Sequence, residues 1–109
     1  MCHWDVREDN LLIRADGSAV IFDWGMSRLG PPWADELLLA AAVRRPDDVH
    51  QVMDSHRGLE DRILAVLLAL AGSQAVAATE PKPASLPTIV AFQRADAVRL
   101  FAIAKGLID

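Results

Sequence analysis

Cysteine, basic runs and long apolar runs are all scarce in this sequence. Cys2 is the single cysteine, so no internal disulfide can form, and we expect a reducing, cytoplasmic compartment. No basic run is longer than Arg44-Arg45 and the net charge is −4, which argues against a nucleic-acid-binding surface. The most apolar run, ILAVLLALA at 63–71, is too short to cross a bilayer as a helix. We therefore expect no signal peptide and neither nucleic acid nor a membrane as a partner.

The length and the apolar content allow one small domain with a filled core. A chain of 109 residues suits a single domain. The hydrophobic fraction of 52% is somewhat high for a soluble domain. Either the core is well filled, or part of the apolar surface meets something that is not present in this chain.

A β-hairpin is indicated near the start of the chain. Two apolar runs, 11–14 and 19–22, flank the sequence ADGS, and Asp-Gly between apolar runs is a strong hairpin signal. Asp23 follows directly where the second strand ends, and a Gly- and Pro-containing loop continues to Pro32. Because a hairpin is not stable alone, we expect it to pack on helices.

The remainder of the chain has helical periodicity. We predict four helical segments: one from Ala34 that Arg44-Arg45-Pro46 ends, one from the N-cap Asp47 to about Ser55, one from Leu59 to about Ala78, and one from Thr88 to Lys105 with Gly106 as C-cap. Ile89, Phe92 and Phe101 lie on the predicted inner face of the last segment. The fold class is therefore α+β and mainly helical, with a polar loop and one hairpin packed on about four helices.

A dense polar cluster precedes the hairpin. The spacing is His3-x-Asp5-x-x-x-x-Asn10, followed by Asp23 at the end of the second strand. Phosphoryl transfer from ATP requires a carboxylate near the acceptor hydroxyl and oxygen ligands for magnesium, which prefers carboxylate and amide oxygens. One loop supplies Asp5 and Asn10, and a hairpin that returns to the same end brings Asp23 to them.

These residues resemble motifs of the protein-kinase-like fold. HWDVREDN resembles the catalytic loop H-x-D-x-x-x-x-N, and VIFDWG resembles the metal-binding Asp motif. The "NLL" after the loop, the "DG" turn, the "DW" pair and the Gly-Pro loop before a helical Asp are similar to the aminoglycoside phosphotransferase and choline kinase-like family. The resemblance covers about residues 2–40. It implies an ATP-dependent phosphotransferase that transfers a phosphoryl group to a hydroxyl of a small molecule, with Mg²⁺ and ATP as cofactors.

The resemblance implies roles for individual residues. Asp5 is the expected catalytic base, and Asn10 and Asp23 are the expected magnesium ligands that also bind the nucleotide through the ion. Arg7 lies two residues after the base, where many protein kinases carry a phosphate-contacting Lys, and its charge would stabilise the transferring phosphoryl group.

Two further residues have supporting roles by the same resemblance. His3 is expected to organise the loop by bonding to backbone near the metal-binding segment, and Asp35 resembles the helix Asp that braces the catalytic loop. Trp4 departs from the pattern, because the small-molecule kinases commonly have Gly there. Its ring either packs under the loop or restricts the acceptor site.

A second departure concerns the nucleotide. No Gly-rich loop, strand Lys or partner Glu precedes His3. The resemblance therefore implies that residues 1–109 form a C-terminal lobe, with the catalytic loop, hairpin and metal-binding loop in 1–33 and a helical part in 34–109. The N-terminal ATP lobe is absent and is expected upstream or in trans, so we expect this fragment to be inactive in isolation.

Two functional hypotheses stay open at this point. The chain is either part of such an enzyme, or a non-catalytic truncated remnant or helical binding module that uses the groove where the missing lobe would sit. The acceptor is not identified either, since an aminoglycoside, another antibiotic, a choline-like alcohol and a sugar all agree with the motifs.

Overall fold

The computed structural model describes residues 1–42 and 46–108. The chain forms two compact units, Met1–Arg57 and Gly58–Asp109. The predicted Arg44-Arg45 helix end lies outside the described residues. The division between the units falls within the stretch 34–109 that the sequence groups as one helical part.

The elements follow one another in a simple order. The first unit contains β1 (Leu11–Ile13), β2 (Ala19–Ile21), α1 (Ala34–Ala42) and α2 (Pro46–Ser55), with short 3₁₀ turns at Glu8–Asn10 and Trp24–Met26. The second unit contains α3 (Glu60–Ala77) and α4 (Ile89–Ile108). The predicted α+β, mainly helical class is confirmed.

The β-hairpin forms where the sequence predicts it. β1 and β2 pair antiparallel, with Leu11 opposite Ile21. The turn depends on Gly17, whose φ of 86° is accessible to glycine at little cost. Beside it, the Asp16 carboxylate accepts hydrogen bonds from the Ser18 hydroxyl and backbone N–H, and these bonds lower the pKa of Asp16.

The outer part of the hairpin is solvent-exposed. The side chains of Leu12 and Ile13 on β1 are both exposed. The prediction that the hairpin packs on the helices therefore does not hold for these two residues. At the open end, a backbone hydrogen bond joins the two strands, in which the Phe22 N–H donates to the backbone carbonyl of Asn10 at 3.0 Å.

α1 and α2 form the helical part of the first unit and pack on each other. The buried side chains recur at helical spacing, which explains why this stretch folds as a helix with an inner face. They are Ala34, Leu37, Ala40 and Ala41 on α1, and Val49 and Val52 on α2. α2 begins at Pro46, so Asp47 lies in the first turn and does not cap the helix as predicted. A proline suits the first helical position because its missing N–H would have no partner there.

α3 and α4 pack against each other and make the core of the second unit. Ile63, Leu67 and Ala71 are buried on α3, and Ala97, Leu100 and Ala104 on α4. The prediction for the inner face of α4 was wrong, because Phe92 and Phe101 are exposed. The buried face of α4 therefore follows the spacing of Ala97, Leu100 and Ala104, and the two phenylalanine rings lie outside it.

The C-terminal boundary of α4 also differs from the prediction. The helix continues through Gly106 to Ile108, so Gly106 is an interior residue. Leu107 is half-buried and lies two turns after the buried Leu100, so the inner face extends past the glycine. Among the described residues, no helix is both long and apolar enough to cross a membrane.

The α3–α4 core gives a direct test of this packing. Leu67→Ala is expected to lower the free energy of unfolding of the second unit by about 2–5 kcal/mol, because removing buried methyl groups leaves a cavity. Urea unfolding followed by far-UV circular dichroism measures the loss.

Leu68→Ala is the matched control, since Leu68 is the next residue on the same helix and is 38% exposed. Its expected loss is about 1 kcal/mol or less. Equal losses from the two variants would contradict the assigned inner face.

Candidate active site

The segment that precedes Asp5 is held by a carboxylate on α1. Asp35, in the first turn of that helix, accepts the backbone N–H of His3 at 2.7 Å and of Trp4 at 2.9 Å, one on each carboxylate oxygen. Hydrogen bonds to an ionised acceptor are stronger than those between neutral groups. The two bonds therefore fix both the position and the direction of the chain as it enters Asp5.

The His3 side chain ties the same segment to the end of β2. The imidazole is fully buried, its Nε2 lies 2.8 Å from the Phe22 carbonyl oxygen, and its Nδ1 accepts the Asp5 N–H at 3.2 Å. Because Nδ1 accepts from an N–H, the proton belongs on Nε2, which then donates to the Phe22 carbonyl. The ring also contacts Trp24 edge to face, with centroids 4.7 Å apart.

Asp5 lies at the centre of a small polar network. Its Oδ1 is 3.0 Å from Nε of Arg7, and its Oδ2 accepts from the Asn10 amide at 3.2 Å. Arg7 also lies 3.4 Å from the Asp9 carboxylate. The Asp5 side chain is 28% exposed, so the carboxylate is held by neighbours and still faces solvent.

Asn10 is buried, and its orientation follows from its partners. Its Nδ2 donates to both the backbone carbonyl and the carboxylate of Asp5, at 2.9 and 3.2 Å. Both partners are acceptors, so the amide nitrogen must face Asp5. The Oδ1 oxygen is then directed away from Asp5 as the atom with which Asn10 can bind a cation.

Asp23 reaches the same end of the hairpin through the backbone. The N–H of Phe22 donates to the Asn10 carbonyl, while the Phe22 carbonyl accepts from His3. Asp23 follows with a left-handed backbone (φ 62°, ψ 68°) and an exposed side chain. This uncommon conformation for a non-glycine residue turns the chain into the 3₁₀ turn Trp24–Met26.

The structure therefore brings the sequence-predicted residues together in two ways. Asp5, Arg7 and Asn10 are in direct contact, and the side chains of Asp35 and His3 accept backbone N–H groups of residues 3–5 at the start of this loop. Asp23 is joined to Asn10 through Phe22. Their roles in catalysis stay predictions at this stage.

The oxygen donors at this end can be compared by their chemistry with what Mg²⁺ prefers. In the part of the chain that the structure describes, no group of three or more His, Cys, Asp and Glu side chains is arranged to hold a metal. Asn10 and Asp23 offer one amide oxygen and one carboxylate. That is a suitable donor set for Mg²⁺, which commonly keeps several waters and takes phosphate oxygens besides one or two protein ligands.

Two features of the site were not foreseen from the sequence. Trp4 adopts a left-handed backbone with φ 65°, and Gly30 lies against its indole. The sequence did carry a signal for the left-handed backbone at Trp4. The small-molecule kinases that the motif resembles commonly have glycine at this position, and glycine adopts a positive φ most easily. The second had no signal in the sequence, because it depends on how two separate loops approach.

A comparison with known protein families supports one assignment. The family model described as "Phosphotransferase enzyme family" matches residues 1–72 of this chain. The match includes the polar loop, the hairpin, Asp23 and Asp35. No curated protein and no solved structure gives a significant match.

Asp35→Asn tests whether this carboxylate organises the loop. The variant replaces one acceptor oxygen by an NH₂ group that faces a backbone N–H, so the free energy of unfolding of the first unit is expected to fall by about 1–3 kcal/mol. Tryptophan fluorescence during urea unfolding measures it, because Trp4, Trp24 and Trp33 all lie in that unit.

Glu36→Gln provides the control on the same helical turn. Glu36 is exposed and pairs with His56 at 3.4 Å, and the variant is expected to change the free energy of unfolding by no more than about 0.5 kcal/mol. A loss in Asp35→Asn no larger than in Glu36→Gln would show that the loop does not depend on Asp35.

Proposed function

Because the chain belongs to the phosphotransferase enzyme family, we propose that it carries the catalytic loop of an ATP-dependent phosphotransferase that acts on a hydroxyl of a small molecule. The observation that supports this proposal most is the contact between Asp5 and Asn10, with Phe22 joining Asn10 to Asp23. A carboxylate and two hard oxygen ligands are thus gathered at one end of the hairpin.

Asp5 is the proposed catalytic base. Its carboxylate accepts from the Asn10 amide and forms an ion pair with Arg7, and it faces solvent where an acceptor hydroxyl can approach. There it would orient the hydroxyl and accept its proton as the oxygen attacks the γ-phosphorus, while the bond from the γ-phosphorus to the bridging oxygen breaks and ADP leaves. A carboxylate already held in place loses little conformational freedom when the acceptor binds.

Asn10 and Asp23 are the proposed ligands of the magnesium ion. When bound, the ion neutralises negative charge on the β- and γ-phosphates. The Asn10 amide is buried and fixed by two hydrogen bonds to Asp5, so its Oδ1 has a defined direction. The base and the ligand are consequently positioned by the same hydrogen bonds.

Arg7 is the proposed phosphate-contacting cation. It now pairs with the carboxylates of Asp5 and Asp9. This guanidinium would lie beside a phosphoryl group next to Asp5 and would stabilise the negative charge that develops on it.

The adenine and the remaining phosphate contacts need residues that this sequence does not contain. It has no Gly-rich loop followed by a Lys. We propose that a segment upstream in the same polypeptide, or a separate chain, provides them. An aminoglycoside, another antibiotic, a choline-like alcohol and a sugar all remain as acceptor classes, and a non-catalytic binding module is the outcome if no transfer is found.

Asp5→Asn tests the catalytic base. In the full-length gene product that contains this sequence, transfer from [γ-³²P]ATP to a panel of kanamycin, choline and simple sugars is measured for wild type and variant. We expect kcat to fall about 10²–10⁴-fold, because the amide accepts no proton from the hydroxyl.

The control for this measurement is Asp16→Asn, at the exposed tip of the hairpin. An Asn side chain can keep the hydrogen bonds with Ser18, so kcat is expected to stay unchanged. Full activity in Asp5→Asn would show that the base is assigned to the wrong residue.

Nucleotide binding to this chain alone gives a second test. We expect Mg²⁺–ATP to bind weakly or undetectably by isothermal titration, because the Gly-rich loop and Lys that hold phosphates are not in the sequence. Submicromolar affinity would contradict this expectation.

In the full-length gene product, Asp23→Asn is expected to raise the Mg²⁺ concentration needed for half-maximal transfer, whereas Asp16→Asn leaves it unchanged.

A further inference from the structure

The backbone at Trp4 is in a conformation that non-glycine residues seldom adopt. Its φ is 65°, in the left-handed region. A non-glycine residue is held there only when surrounding contacts enforce it. One such contact is the hydrogen bond from Trp4 N–H to Asp35, and the Asp5 N–H that follows donates to His3. The left-handed backbone at residue 4 therefore sets the direction in which the chain continues into Asp5.

The second contact is made by the indole. A Cβ added at Gly30 would lie 2.5 Å from Cζ2 and 2.9 Å from Cε2 of Trp4, and 3.0 Å from the Cys2 sulfur. These atoms fill the space beside Gly30, so a larger residue there would have to displace the ring. Cys2 and Arg28 are paired by two backbone hydrogen bonds, which hold the two segments next to each other.

Hydrogen bonding does not explain the ring's position. The indole Nε1 is buried, and it has no hydrogen-bond partner within the described part of the chain. A buried N–H without a partner is unfavourable. The ring is therefore kept in place by shape and not by its polar atom.

We propose that Trp4 is a positioning residue for Asp5, acting through the steric contact between its indole and Gly30. The contact holds residue 4 in the left-handed conformation that a glycine would adopt without help, and so keeps the Asp5 carboxylate in the direction that transfer requires. This inference rests on the proposed function of Asp5. Because Trp4 acts through the backbone and through Asp5, it is a positioning residue and not itself a catalytic residue.

The test combines a structural and a kinetic measurement on Trp4→Ala, which removes the ring but keeps the Cβ that disfavours a positive φ. By NMR on this chain, the amide hydrogen exchange of His3 and Asp5 is expected to accelerate at least about tenfold. In the full-length gene product, kcat is expected to fall about 10–100-fold while KM for ATP and for the acceptor stays unchanged, because the base is displaced and the substrate contacts are not.

A double-variant cycle examines the contact itself. Gly30→Ala is expected to reproduce both effects of Trp4→Ala, because its methyl group displaces the ring. The double variant Trp4→Ala/Gly30→Ala is expected to be no worse than Trp4→Ala alone, since the ring is then absent. Additive effects would overturn the proposal. Leu29→Ala, 84% exposed on the same loop, is the control and should match wild type.

A conservative variant separates shape from polarity. Trp4→Phe keeps an aromatic ring and removes the buried N–H, and we expect its kcat and amide exchange to stay within about threefold of wild type. Behaviour like Trp4→Ala would overturn the steric explanation. If Trp4→Ala unfolds by circular dichroism, Gly30→Ala and Trp4→Phe decide the question through the same measurements.

The two hypotheses fail in different ways. If wild type transfers no phosphoryl group to any tested acceptor, the proposed function fails, and amide exchange still reports whether Trp4 positions Asp5. If wild type is active and Trp4→Ala accelerates exchange without changing kcat, Trp4 is only structural and the positioning proposal is overturned.

Discussion

The rest of the site depends on one interaction, which is the pair of hydrogen bonds that the Asp35 carboxylate accepts. It bonds to two successive backbone N–H groups, those of His3 and Trp4, immediately before Asp5. An acceptor with two oxygens can fix two donors at once, which a neutral side chain cannot do equally well. Because Asp35 lies in the first turn of α1, the helix that carries the core of the first unit also determines where the polar loop begins.

From the segment that Asp35 fixes, a series of hydrogen bonds continues through the polar loop. His3 connects the loop to the end of β2, Asp5 is oriented by Asn10, and Asn10 pairs with the backbone of Phe22. Several of these bonds involve main-chain atoms, so they depend on the path of the chain more than on side-chain identity. The loop is therefore a preorganised arrangement, in which the charged groups are in place before a substrate binds.

Sequence reasoning predicted the hairpin and the polar cluster better than the packing. The Asp-Gly turn and the apolar runs predicted the hairpin, because local turn geometry selects those residues. A hairpin that returns to its open end brings Asp23 next to Phe22 and Asn10, as its position after the second strand predicted. The inner face of α4 was misassigned, because apolar character alone does not show which apolar residues of a helix are buried. The left-handed backbone at Trp4 and its contact with Gly30 come from two loops distant in sequence, which no local pattern encodes.

The two hydrogen bonds of Phe22 separate the open end of the hairpin from its tip. Phe22 bonds to the Asn10 backbone and to His3, directly before Asp23, whereas the Asp16–Gly17 tip is exposed and takes no part in the arrangement. Residues inserted at the tip would therefore leave Asn10 and Asp23 where they are, provided that the strand register near the open end is kept. The hairpin thus acts as a spacer of adjustable length, and a tag or a fluorescent label placed at its tip would leave the polar loop undisturbed.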